Sequence, residues 1–174
     1  MSESESNTQS KSDRIYRILP VATAILLTVG FIFGHSCMPP SSSAAESAAV
    51  AGWLQKLFGL HPADPERFVA ILRKLAHFSE FALLGGEIAI LLRILKGSIS
   101  FRRGFFAVLC CLPVALVDET IQIFSGRGPM VSDLWIDWGG ACFGFLLLAL
   151  LSAAREKTSK RSKKALFLLT KDKK

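Results

Sequence analysis

This sequence predicts an all-α integral membrane protein: a four-helix bundle, N-in/C-in, with a short helix in an outer loop. Three observations carry that reading. Of the 174 residues, 51% are hydrophobic, and the mean hydropathy is +0.40. The apolar residues gather into four blocks, about 15–35, 75–95, 104–124 and 134–154, each close to the ~20 residues that cross a bilayer as a helix. Lys and Arg collect at alternate ends of these blocks, the pattern of cytoplasmic loops.

Residues 1–13 are polar and without periodicity, so they are expected to be disordered. Arg14 and Arg17 lead into a stretch that carries no charge from Ile18 to Phe33. A basic start and an apolar core also describe a signal peptide, but this core is long for that purpose, and an uncleaved first helix is the preferred reading. Residues 36–64 form an outer loop that opens on the Pro/Ser-rich run SCMPPSSSAAES, a turn region. Within it, Trp53, Leu54, Leu57 and Phe58 share one face of a short helix, packed on the domain or lying on the lipid surface. Asp64-Pro65-Glu66 then reads as an N-cap, a proline at the first helical position and an acidic first turn.

The second span continues from that cap. The third follows Arg102-Arg103-Gly104 and contains Pro113, which predicts a kink. The fourth runs from near Asp133 to Ala154 and completes a membrane domain over residues 14–154. The remainder, residues 155–174, is a cytoplasmic tail with nine Lys/Arg and two acidic residues, so its balance matches the net charge of +7 for the whole chain. A basic cluster is also a footprint for phosphates. Here a topology signal leaning on anionic lipid headgroups explains it, and nucleic acid is not an expected partner. Lys11, Arg14, Arg17, the Arg93–Arg103 turn and the tail all fall on one side. That side is cytoplasmic, which leaves loops 36–70 and 125–133 outside the cell membrane.

Of the four cysteines, Cys37, Cys110, Cys111 and Cys142, none forms a C-x-x-C pair and three lie in apolar spans. A disulfide framework and a zinc site are therefore not expected, and no metal or cofactor is assigned. Cys37 sits in GHSC, a poor match to a lipoprotein cleavage site.

Charged side chains within apolar helices are costly, roughly 2.5–3.5 kcal/mol each at the bilayer centre, and so tend to be paired or functional. Arg73, His77, Glu80, Leu84 and Glu87 recur every three or four residues along one arc of the second helix, with Lys74 beside them. Asp118 and Gln122 share a face of the third, next to Glu119, and Arg127 follows in the loop. Asp133, Asp137, Gly140 and Gly144 share a face of the fourth, where Gly140 and Gly144 form a GxxxG helix-packing motif. Pairing Asp118 and Glu119 with Arg73, Lys74, His77 and Arg127 would offset their burial. With Trp135 and Trp138 at the interface level, an outward-facing polar pocket is expected, capped by loop 125–133.

RKLAHFSEF (73–81), DETIQIFSGR (118–127) and the run from Asp133 through Asp137 to Gly140 resemble the VanZ-like membrane protein family in order and spacing, over about residues 70–145. The first span with its Ser-rich exit is similar to the start of that family more loosely. The chain departs from it at Ile121, where many relatives have histidine, and at Ser125-Gly126-Arg127, where they have a longer turn. The resemblance implies a four-helix membrane protein; the namesake is associated with resistance to the glycopeptide teicoplanin, a phenotype that supplies no reaction.

The expected role is therefore a binding one. The polar pocket would hold an envelope-related headgroup, with lipid-linked wall precursors, wall polymers and glycopeptides as candidate ligands by family analogy and membrane lipids as surroundings. The alternative is a network that only fixes how the helices meet. A second alternative is an enzyme acting on a lipid-linked substrate, with His77 and Glu80 or the Asp118/Glu119 pair as acid and base, or with His77, Glu80, Asp118 and Asp133 around a divalent cation. No recognised catalytic spacing supports it, and no catalytic residue is assigned. Transport through Glu87 is the fourth reading, with no internal repeat to support it.

Overall fold

The computed structural model describes residues 3–126 and 131–171, and every element among them is helical. These are α1 (Glu3–Ser36), α2 (Pro40–Phe58), α3 (Pro65–Lys96), α4 (Phe101–Leu109), α5 (Cys111–Phe124) and α6 (Val131–Lys171). Three segments are long and apolar enough to cross a membrane: Arg14–Ser36, Phe101–Phe124 (α4 and α5 together) and Val131–Ser162, with mean hydropathies of 2.0, 1.8 and 1.8. The block expected at 75–95 lies in α3, which also bears Arg73, Lys74, His77, Glu80 and Glu87.

The distribution of surface is that of a membrane protein rather than a soluble one. Leu26, Leu27, Phe31, Leu83, Leu116 and Leu150 are all more than half exposed, while Asp118 and Asp137 are 0% and 1% exposed. A soluble helical domain of this size would reverse that arrangement. Apolar side chains turned outward and polar ones inward are what a hydrocarbon solvent demands.

α3 lies at the centre. Its largest interface is with α6, and α1, α2, α4 and α5 also pack against it. The core joins Ile32 of α1, Phe81 and Leu84 of α3, Cys111 and Ala115 of α5 and Ala141 of α6. Small residues let α3 and α6 approach closely at Gly85, Gly140 and Gly144.

Local chemistry sets the helix ends. The Arg67 N–H donates to Asp64 Oδ1 at 3.0 Å, capping α3. At the other end Gly97 takes φ +72°, which a β-carbon would oppose, and its N–H reaches Arg93 O at 2.7 Å. The Pro/Ser run turns over residues 37–39 as expected, and its remainder opens α2, because Pro40 stands at the first turn of that helix, where a missing N–H costs nothing. Ser43 and Ala51 are buried, while Trp53, Leu57 and Phe58 remain exposed. The third span breaks between α4 and α5 at Cys110 rather than at Pro113. A proline ring clashes with the carbonyl four residues earlier, here Leu109, so the irregularity falls upstream of it.

Candidate functional site

The polar residues of five helices, α1, α2, α3, α5 and α6, converge near one end of the bundle. α1 ends there, so His35 and Ser36 are brought against α3 and α5. Ser36 Oγ donates to Asp118 Oδ1. Gln122, one turn beyond Asp118 on α5, donates from Nε2 to Asp118 Oδ2 at 2.8 Å. Asp118 thus has both oxygens held by buried donors, from the terminal turn of α1 and from its own helix.

α3 supplies the adjoining wall. His77 Nδ1 lies 3.9 Å from Asp118 Oδ2 and 3.9 Å from Glu80 Oε2. Glu80 Oε1 is 3.2 Å from His35 Nδ1, and His35 Nε2 is 3.3 Å from Glu46 of α2. The rings of His35 and His77 stack with centroids 5.8 Å apart. α6 completes the cluster with Asp137, one ligand atom of which lies within 4.8 Å of atoms of both His77 and Asp118. Both carboxylate oxygens of Asp137 are buried without a hydrogen-bond partner.

The expected residues therefore fall into two groups. His77, Glu80, Asp118, Gln122 and Asp137 share the buried cluster. Lys74 and Asp133 form a separate ion pair at 2.9 Å nearer the surface, with side chains 36% and 24% exposed. Asp118 is accordingly held by Ser36 and Gln122 and faces His77, one of the groups the sequence set against it alongside Arg73, Lys74 and Arg127; Lys74 is instead taken by Asp133, and Arg73 is only partly buried. Glu119 is partly buried beside Asp118 in the chain. Arg127, and with it the expected cap at the 125–133 loop, lies outside the described residues.

Gly140 and Gly144 sit where α6 meets α3, as their spacing predicts. Trp135 is 59% exposed, as suits an interface residue. Trp138 instead packs inward, and its Nε1 reaches Val108 O at 3.4 Å. Glu87, ten residues beyond His77 and so about 15 Å deeper along the helix, accepts from Thr28 Oγ1 at 3.0 Å.

Sequence reasoning missed the contribution of α1 and α2: Thr28, His35, Ser36 and Glu46. A signal was present. Thr28, core Ile32 and His35 follow helical spacing, so a polar seam on the first span was readable as a packed face.

Chemically, the cluster gathers carboxylates around the stacked imidazoles of His35 and His77. It suits groups that donate hydrogen bonds or carry positive charge, since ionised carboxylates only accept. No curated protein and no solved structure matches the chain. The VanZ/LLP1 family model matches residues 16–152, well beyond the segment that carried the resemblance, and the chain belongs to that family.

Proposed function

We propose that this VanZ/LLP1-family protein is a four-span protein of the plasma membrane whose outward-facing polar pocket binds a headgroup of an envelope component, and that it thereby contributes to glycopeptide (teicoplanin) tolerance. The observation that carries the reading is the buried cluster of Asp118, Asp137, Glu80 and His77 at one end of an otherwise apolar bundle. Amine and hydroxyl groups of a lipid-linked wall precursor, a wall polymer or a glycopeptide would face the carboxylates. Lys74 and Arg73 would meet phosphate or carboxylate at the rim.

Four spans are favoured because α3, with 32 residues, is about 48 Å long, against a hydrocarbon thickness of about 30 Å. Its neighbours α1, α5 and α6 cover its polar face. The N-in/C-in orientation puts Cys37, exposed beyond the end of α1, on the outside, and the 97–100 turn inside. An impermeant thiol reagent added to intact cells is then expected to label Cys37 and to spare a Ser98→Cys variant carried in a Cys37→Ser background. Labelling of Ser98→Cys with Cys37 protected would reverse the orientation.

One observation favours the alternative of a purely architectural network: Asp118 is satisfied by Ser36 and Gln122 with no ligand needed. The phenotype separates the readings. Deletion in the native host is expected to lower, and overexpression to raise, the teicoplanin concentration that stops growth, within a panel of envelope-active antibiotics. An unchanged profile across that panel in both strains would remove the envelope-ligand reading.

A further inference from the structure

Two buried aspartates face one imidazole. Asp118 is 0%, Asp137 1% and His77 8% exposed, and one ligand atom from each lies within 4.8 Å of the other two. Asp137 has neither a hydrogen-bond donor nor, among the described residues, a Lys or Arg paired with it. Two basic groups of α3 and α1 are engaged elsewhere, Lys74 with Asp133, and His35 between Glu46 and Glu80. Burial of an ionised, uncompensated carboxylate is costly unless a cation meets it or it takes up a proton.

We propose that His77, Asp118 and Asp137 form a binding site for one divalent first-row metal ion. A cation between these groups meets both carboxylates and takes the open oxygens of Asp137 as ligands. The mixed set matters, because imidazole suits Zn²⁺ and its neighbours while carboxylates alone suit Mg²⁺ and Ca²⁺. Zn²⁺ and Mn²⁺ are therefore the ions expected, in place of the metal-free pocket read from the sequence. Ligand bonds of about 2.0–2.2 Å would set neighbouring ligand atoms about 3–3.6 Å apart. The 3.9 Å between His77 Nδ1 and Asp118 Oδ2 closes to that by small side-chain rotations. Ser36 and Gln122, which donate to Asp118, are the orienting partners such a ligand requires. Asp137 takes the place given to Asp133 in the sequence reading, since Asp133 is held one turn away by Lys74. The ion would sit on the floor of the pocket proposed above, and its binding requires no assumption about the ligand received there.

The test uses full-length protein purified in detergent through a histidine-free tag. It is equilibrated with micromolar Zn²⁺ or Mn²⁺, freed of excess and analysed by elemental mass spectrometry, with Mg²⁺ and Ca²⁺ as controls. The wild type is expected to retain about one equivalent and to unfold at a higher temperature with metal than without. Asp137→Asn and His77→Gln, eluting as folded protein on gel filtration, are expected to lose both effects. Ser36→Ala, which leaves all three ligands in place, is expected to bind roughly 10–100-fold more weakly. Retention below half an equivalent, or equal retention by Asp137→Asn and His77→Gln, would overturn the site, as would saturation by Mg²⁺ or Ca²⁺ alone. Metal absent with antibiotic tolerance intact sinks this inference only; metal retained with no tolerance phenotype sinks only the proposed function.

Discussion

Gly144→Ala is expected to destabilise the protein by about 3 kcal/mol, the upper end for overpacking, and Gly144→Leu to leave no folded protein in the membrane. A β-carbon at Gly144 would stand 1.7 Å from the backbone oxygen of Ala82, and one at Gly140 2.3 Å from that of Phe78. Gly85 presents the same problem from α3, with Ala141 O only 2.0 Å away. The obstacle in each case is helix backbone rather than a side chain that could rotate. One methyl must therefore move a whole helix. In lipid this close approach supplies dispersion and Cα–H···O contacts that apolar burial cannot, because hydrocarbon tails are as apolar as leucine. Gly139 is the internal control: a β-carbon there meets nothing within 4 Å, so Gly139→Ala is expected to gain up to about 1 kcal/mol of helix propensity. Unfolding of the purified variants in detergent measures the difference. Equal stability of Gly144→Ala and wild type would contradict the α3–α6 approach. The site depends on that approach too, since Asp137 lies one turn from Gly140 and faces His77 across the same interface.

Much of this was legible in the sequence because of how membranes punish charge. A carboxylate in an apolar block is conspicuous, so Glu80, Asp118 and Asp137 could be singled out without coordinates, and GxxxG named the face of α6 that packs. What stayed hidden depends on relative helix rotation and rise. Asp133 and Asp137 share a face by spacing, yet only the packed bundle separates a rim aspartate paired with Lys74 from a deeper one without a partner. The same is true of Gly85, which in sequence looks only like a weak point in α3 and in the fold is the reciprocal of the α6 glycines. His35 and Ser36 were overlooked for a different reason. They stand where the first block, about 15–35, runs into a Pro/Ser segment, so that His35 only closed the span and Ser36 fell in the loop. The helix continues through Ser36 and delivers both side chains to the cluster.

Asp118 is where the architectural and binding readings diverge most, and the choice of substitution decides what is learned. Asp118→Ala would strand two buried donors, Ser36 Oγ and Gln122 Nε2, at roughly 1–3 kcal/mol each. Its loss from the membrane would therefore be ambiguous. Asp118→Asn keeps the shape and removes only the charge. Its carbonyl oxygen can still accept from Ser36, and its amide can donate to Gln122 once that carboxamide turns to present oxygen. The asparagine variant is accordingly expected to reach the membrane at wild-type levels, with stability within about 1 kcal/mol of wild type. Its antibiotic tolerance is expected to fall to that of the deletion strain, because a buried ionised carboxylate binds a donor group roughly twice as strongly as a neutral acceptor. The measurement pairs membrane abundance with the inhibitory teicoplanin concentration for the same strains. Full tolerance with Asp118→Asn would make the carboxylate a packing element whose charge is dispensable. Normal abundance with lost tolerance would mean that the charge is kept, at its burial cost, for something that enters the pocket.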